Sequence, residues 1–237
     1  MIVLRKKRLF LVLGVLSISL TAFSLKSAFS KSETVATVTL PVTNKVIVID
    51  AGHGVPDEGA ESSNGISEAK INLNIALKLQ SLLEQSGATV VLTRSDDNAI
   101  YDIDSKTLKQ KKISDLKNRV KIGNESSADA FVSIHLNKIP QKQYSGWQTF
   151  YNSSNENSIK LAKSIQNSLN ESIQKENNRV AMKLDTVFIV KKVEIPLTIV
   201  ECGFLSNPEE EKDLLNDDYQ NRLAWGIYSG IMDYFLQ

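Results

Sequence analysis

Val46-Ile47-Val48-Ile49-Asp50-Ala51-Gly52-His53-Gly54 decides how the rest of this chain reads. A short β-branched run ends in a carboxylate and hands over to a histidine flanked by glycines. A run of that length and composition, closed by glycine, predicts a buried strand. The histidine then stands at the strand's C-terminal end. The chain has two histidines in 237 residues, and the second, His135, ends a similar run in Ser133-Ile134-His135-Leu136-Asn137. In an open α/β sheet that edge is where ligands bind. Two imidazoles there, with a carboxylate nearby, point to a metal site.

Outward from this stretch, strand and helix patterns alternate. Lys45–Asp50, Ala88–Thr93, Ala130–His135, Gly146–Tyr151, Thr186–Val190 and Pro196–Glu201 are expected strands. Apolar residues at helical spacing predict helices over Ser67–Gln85, Ile113–Asn124, Asn157–Ile173 and Asp217–Phe235. Ser95–Lys112 is polar and aperiodic and reads as a surface excursion. This alternation predicts an α/β fold: one domain over 45–237 with a mostly parallel, twisted sheet and helices on both faces.

The N-terminus reads differently. Arg5-Lys6-Lys7-Arg8 precedes an uncharged apolar run from Leu9 to Leu25, 17 residues that Lys26 ends. Residues 1–30 are therefore expected to be a signal peptide or an N-terminal membrane anchor. The positive-inside rule places the rest of the chain on the extracytoplasmic side. A Ser-, Thr- and Val-rich stretch, 31–44, is the expected linker. The leader holds five of the 28 Lys and Arg and none of the 27 Asp and Glu, which leaves the exported part near −4. That charge excludes a nucleic-acid partner. The single cysteine, Cys202, excludes an intramolecular disulfide and a cysteine-rich metal site. An exported chain without disulfides fits a bacterial source.

Four side chains could meet at the sheet edge. They are His53, His135, Glu201 at the end of the last strand, and Glu68 in the first turn of the helix after the His53 loop. Each has a plainer role on its own: a loop or core histidine, or a first-turn acid favoured by the helix dipole. Glu201 carries the most weight, because a carboxylate on so apolar a strand is costly to bury without a partner. Together the four match a metal hydrolase. Three ligands, commonly two His and one Glu, leave one position open, and a carboxylate outside the ligand set moves the proton. Cys202 offers a rival, a thiolate nucleophile with a histidine base. It alternates with Glu201, however, and should face the other side of the strand.

These motifs resemble the zinc-dependent N-acetylmuramoyl-L-alanine amidases of the Amidase_3 type. The matching stretches are Val48–Gly54, Glu68 before its helix, Val90–Asp96, Leu116 and Arg119, Ser133–Asn137 and Val200–Asn207. The resemblance covers the chain from Lys45 onward. It implies a phosphorylase/hydrolase-like fold and one Zn²⁺ held by His53, Glu68 and His135. It makes Glu201 the catalytic acid/base, and peptidoglycan the substrate, cut between N-acetylmuramic acid and L-alanine. Arg94, Arg119 and Asn137 are weaker substrate-binding candidates. The sequence departs from the common pattern at Val55 and at Ala69-Lys70, and neither change removes a ligand. Chain length, the lone N-terminal segment and Ser145–Tyr151 are most similar to the CwlD-type spore-cortex amidases. That likeness implies a role in muramic-δ-lactam formation and, from clostridial relatives, a lipoprotein partner. Two other classes fit the same residues: a different cell-wall metallo-amidohydrolase or peptidase, and a non-catalytic peptidoglycan-binding module. An intact Glu201 beside three ligands argues against the second.

Overall fold

The computed structural model describes residues 8, 10–21 and 39–237. Residues 1–7, 9 and 22–38 of the expected leader and linker lie outside the described residues. Residues 10–21 are helical. Among the described residues, no helix is long and apolar enough to cross a membrane. From Thr39 the chain forms one compact unit. The end of the expected linker belongs to that unit, because residues 41–44 form a turn with Val42 fully buried in the core.

Six strands form one sheet: β1 (Val46–Ala51), β2 (Thr89–Leu92), β3 (Ala130–Asn137), β4 (Gln148–Tyr151), β5 (Met182–Lys183) and β6 (Leu197–Phe204). Their order is β2-β1-β3-β6-β4-β5. β2, β1, β3 and β6 run parallel, and β4 is antiparallel to β6. The helices are α1 (Glu68–Gln85), α2 (Leu108–Glu125), α3 (Glu156–Ile173), α4 (Phe188–Lys192), α5 (Pro208–Leu214) and α6 (Asp217–Leu236). Strand periodicity of two sorts the core into two layers. Ile47, Ile49, Val132, Ile134, Val200 and Cys202 face α1, α3 and α6. Val48, Phe131, Leu197 and Ile199 face α2 and α4.

One expected strand is a helix instead. Thr186–Val190 does not pair; the chain turns there and forms α4 from Phe188. A five-residue β-branched run has no periodicity that separates strand from buried helix. Here Ile189 and Val190 pack as a helical turn under the second layer. The two-residue β5 and the seven-residue α5 carry too little pattern to be seen in the sequence.

Local chemistry sets the helix starts. Ser67, Asn155 and Asn216 accept N–H bonds at the starts of α1, α3 and α6, and Thr107 with Gln110 forms a capping box on α2. Helix α6 lies tight on α3. A Cβ built on Gly230 falls 2.4 Å from the Ile165 Cα, which is backbone and cannot rotate away. Gly230→Ala is therefore expected to cost about 1–3 kcal/mol as the helices part. Thermal unfolding of the variant tests this; an unchanged Tm would mean the helices separate freely.

Candidate metal centre

Parallel register brings the expected strand ends together. His135 on β3 pairs with Glu201 on β6, and Asp50 on β1 pairs with Ser133 on β3. These side chains alternate with the first core layer, so they lie on the α2 side of the sheet. Cys202 falls on the other side, fully buried among the α1 and α6 core. Burial pushes its thiol far above the ordinary range, so it does not serve as the thiolate of the rival reading.

The loop after β1 places His53 with φ 61°, a left-handed conformation uncommon outside glycine. Glu68 reaches the same point from the first turn of α1. Its Oε1 lies 3.4 Å from His53 Nε2 and 3.2 Å from His135 Nδ1. One ligand atom from each of the three lies within 4.8 Å of the others. The carboxylate is fixed before any ligand arrives. Ala60 N–H donates to Oε2 at 2.9 Å, and Leu136 N–H donates to Oε1 at 3.0 Å. Asn72, one helical turn along α1 and fully buried, donates to the Gly52 carbonyl at 3.2 Å and to Glu68 Oε1 at 3.4 Å.

The donor set fits a divalent metal. Two imidazoles and one buried carboxylate, with no cation among them, match a catalytic zinc site that keeps a position free. The backbone is cut to make room. A Cβ on Gly52 would stand 2.3–2.6 Å from three His135 ring atoms. Gly52→Ala is thus expected to displace that ring and weaken zinc binding about 10–100-fold, the range for disturbed ligand support. Competition against a chromophoric chelator measures it, and equal affinity would show that the ring does not depend on this space.

Glu201 differs from Glu68. Its Oε2 is buried with no hydrogen-bond partner. Burial, with the neighbouring Glu68 charge and against the pull of the imidazoles, raises its carboxyl to about 7. For Glu68, hydrogen bonds from both imidazoles overcome burial and hold its carboxyl far below the usual range. His135 is raised in turn: burial opposes its charge, but Glu68 and Glu201 outweigh it. Two carboxylates in one site are thereby pushed in opposite directions, the pattern of an acid/base group beside a ligand. A cavity of about 220 Å³ opens on Glu201, lined also by His53, His135, Asp57, Lys112 and Arg119, among others.

The two arginines lie beneath the loop. Arg119 gives all five N–H groups to protein. Nε meets Asp115 Oδ2 at 2.8 Å and Nη1 meets Asp50 Oδ1 at 2.5 Å and the Ala51 carbonyl at 2.7 Å. Nη2 meets the His53 carbonyl at 2.6 Å and Asp115 Oδ1 at 3.2 Å. Arg94 bonds the carbonyls of Ala51, Gly52, Ala69 and Asp96. Both are buried. Through these bonds both arginines hold the backbone on either side of His53, and Arg119 also lines the cavity. Asn137 ends β3, its carbonyl accepting the Leu205 N–H at 2.8 Å, and is not among the cavity's lining residues.

Asp57 joins the site without a sequence signal, its Oδ2 3.4 Å from His53 Nδ1 and 2.9 Å from Lys112 Nζ. It sits in an aperiodic loop, where spacing carries no signal. Asn72 was more accessible, four residues after Glu68 on one helix face.

Comparison with known proteins shows the family. The family model described as N-acetylmuramoyl-L-alanine amidase matches residues 47–233. The germination-specific N-acetylmuramoyl-L-alanine amidase of Bacillus subtilis is 35% identical over 215 residues, covering 91% of this chain and 90% of that protein. Among solved structures, the CwlD amidase from Clostridioides difficile, in complex with the GerS lipoprotein, superposes with a TM-score of 0.78. It is 46% identical over 81% of this chain and 98% of that one. The catalytic domain of CwlV from Bacillus (Paenibacillus) polymyxa gives a TM-score of 0.69 at 34% identity, covering 80% and 97%.

Proposed function

Since the chain belongs to the N-acetylmuramoyl-L-alanine amidase family, we propose that its amidase reaction runs on zinc held by His53, Glu68 and His135, with Glu201 as acid/base. The enzyme hydrolyses the amide between N-acetylmuramic acid and the L-alanine of peptidoglycan. The chemistry a bound zinc supplies is Lewis acidity, which polarises the lactyl carbonyl and makes water nucleophilic near neutral pH. Glu201 takes a proton from the attacking water and delivers it to the departing L-alanine nitrogen. A C–O bond forms as the C–N bond breaks, leaving a lactyl carboxylate and a free stem peptide. Arg119, Arg94 and Asn72 fix the backbone and the Glu68 carboxylate, so no ligand has to reorganise. The observation that supports this reading is Glu201 standing opposite His135 across β3 and β6, lining the same cavity with a buried, unpartnered Oε2.

The biological setting follows the relatives. We place the enzyme outside the cytoplasm, tethered or exported through residues 1–30, and assign it to spore-cortex maturation, where peptide-free muramic acid precedes the δ-lactam. A lipoprotein partner is proposed on the likeness to the CwlD amidase crystallised with GerS.

A digest of peptidoglycan fragments by the full-length protein, read by mass spectrometry, tests the reaction. Free stem peptides beginning at L-alanine are expected with zinc present. A chelator should abolish them and added zinc restore them. Cleavage at another bond would point to a different cell-wall hydrolase, and zinc binding without cleavage to a binding module.

A further inference from the structure

Helix α2 carries its charges against its own dipole. Its first turns hold Lys109, Lys111 and Lys112, with no acid in the first turn, no base in the last, and Glu125 as its final residue. Cations at a helix N-terminus are unfavourable, and Lys109 with Lys112, three residues apart, adds like-charge repulsion on one face. The exported part of the chain is net acidic, which makes a basic cluster here stand out further. Helix stability does not explain it.

A cavity does. An open cavity of about 310 Å³ is lined by Pro56, Ala99, Tyr101 and Leu108 with these three lysines. It shares Asp57, Lys112 and Asp115 with the catalytic cavity, so the two form one trough. Lys112 stands at the junction, its side chain half-exposed and paired to Asp57 at 2.9 Å. Lys111 bonds the Tyr101 hydroxyl at 3.2 Å and lies 4.5 Å over its ring. An ammonium has three donors, so each keeps capacity for an anion. The trough therefore offers an aromatic and apolar floor under three lysines, which outnumber the two acids Asp57 and Asp115 in its lining.

Resting on the amidase reading, we propose that this trough is the subsite for the stem peptide and that Lys109, Lys111 and Lys112 recognise its free carboxylates. A peptide carboxylate carries a charge that its amide lacks. The lysine trough selects the free acid.

Two muropeptides differing only at that carboxylate test this with the zinc-loaded full-length enzyme. The wild type should show a KM about tenfold lower for the free acid, the size of one charge-assisted hydrogen bond. A triple Lys109→Gln, Lys111→Gln, Lys112→Gln variant should lose that preference, its KM becoming equal for the two substrates. Lys117→Gln with Lys121→Gln on the same helix should keep it. If the triple variant unfolds early, Lys109→Gln and Lys111→Gln singly should each lose part of the preference. Equal KM values for both substrates in the wild type would overturn the proposal and leave the amidase intact. Equal KM values, with binding to phosphatidylglycerol vesicles lost in the variant, would overturn it in favour of a lipid surface. Cleavage of neither substrate would bring down the amidase reading itself.

Discussion

Glu201→Gln is expected to bind zinc as the wild type does and to lose about 10²–10⁴-fold in kcat, the usual contribution of a positioned acid/base. The substitution keeps volume and hydrogen-bonding reach but removes the ability to take and return a proton. Because Glu201 lies outside the three-residue ligand cluster, metal content should not change. His53→Ala differs, since it should lose metal and turnover together. Zinc stoichiometry beside single-turnover rates separates the two variants. A Glu201→Gln enzyme within tenfold of wild type would sink the mechanism.

Arg119→Leu should be strongly destabilising. The guanidinium is 2% exposed and ties together Asp50, Asp115 and two carbonyls of the histidine loop. Removing one partner of a buried ion pair costs about 3–5 kcal/mol, because the remaining charge is left stranded. The pH dependence identifies which charge. In the wild type, burial would raise Asp50, but Arg119 and the Ser133 hydroxyl hold it below 3.8. Its stabilisation is therefore present above about pH 4 and is lost as the pH falls through the depressed folded-state value. Without Arg119, burial wins and the Asp50 carboxyl rises above its unfolded value. The variant's deficit should then be largest near neutral pH and shrink in acid. Denaturant unfolding at pH 7 and pH 4 measures this, with Asp50→Asn in the Arg119→Leu background expected to recover part of the loss. A deficit independent of pH would assign the effect to packing alone.

Much of this arrangement was legible in the sequence, for physical reasons. Four long helices declared themselves through apolar spacing, and β1, β3 and β6 through β-branched runs closed by functional residues. Because parallel strands share a C-terminal edge, three motifs far apart in the chain could be assigned to one place. Short elements were not legible. Phe188–Lys192 has the composition of a strand and becomes a helix because tertiary packing, not local preference, decides five residues. A sequence shows the charge of an arginine without its partners. Only the fold reveals that Arg119 has no donor left over. Asp57 and the lysines of α2 lay in a stretch without period, where position in space is unrelated to spacing in the chain.

The scattered origin of His53, Glu68 and His135 couples the protein's persistence to its surroundings. One comes from the loop after β1, one from the start of α1 and one from inside β3, so the unfolded chain has no chelate to offer. A ligand that binds only the native state shifts the folding equilibrium by mass action, about 2.7 kcal/mol at a hundredfold excess over Kd. On the proposed zinc site, metal supply would then set how long each molecule survives proteolysis as well as how many are active. Starved of metal, a population of this enzyme would shrink as well as fall idle.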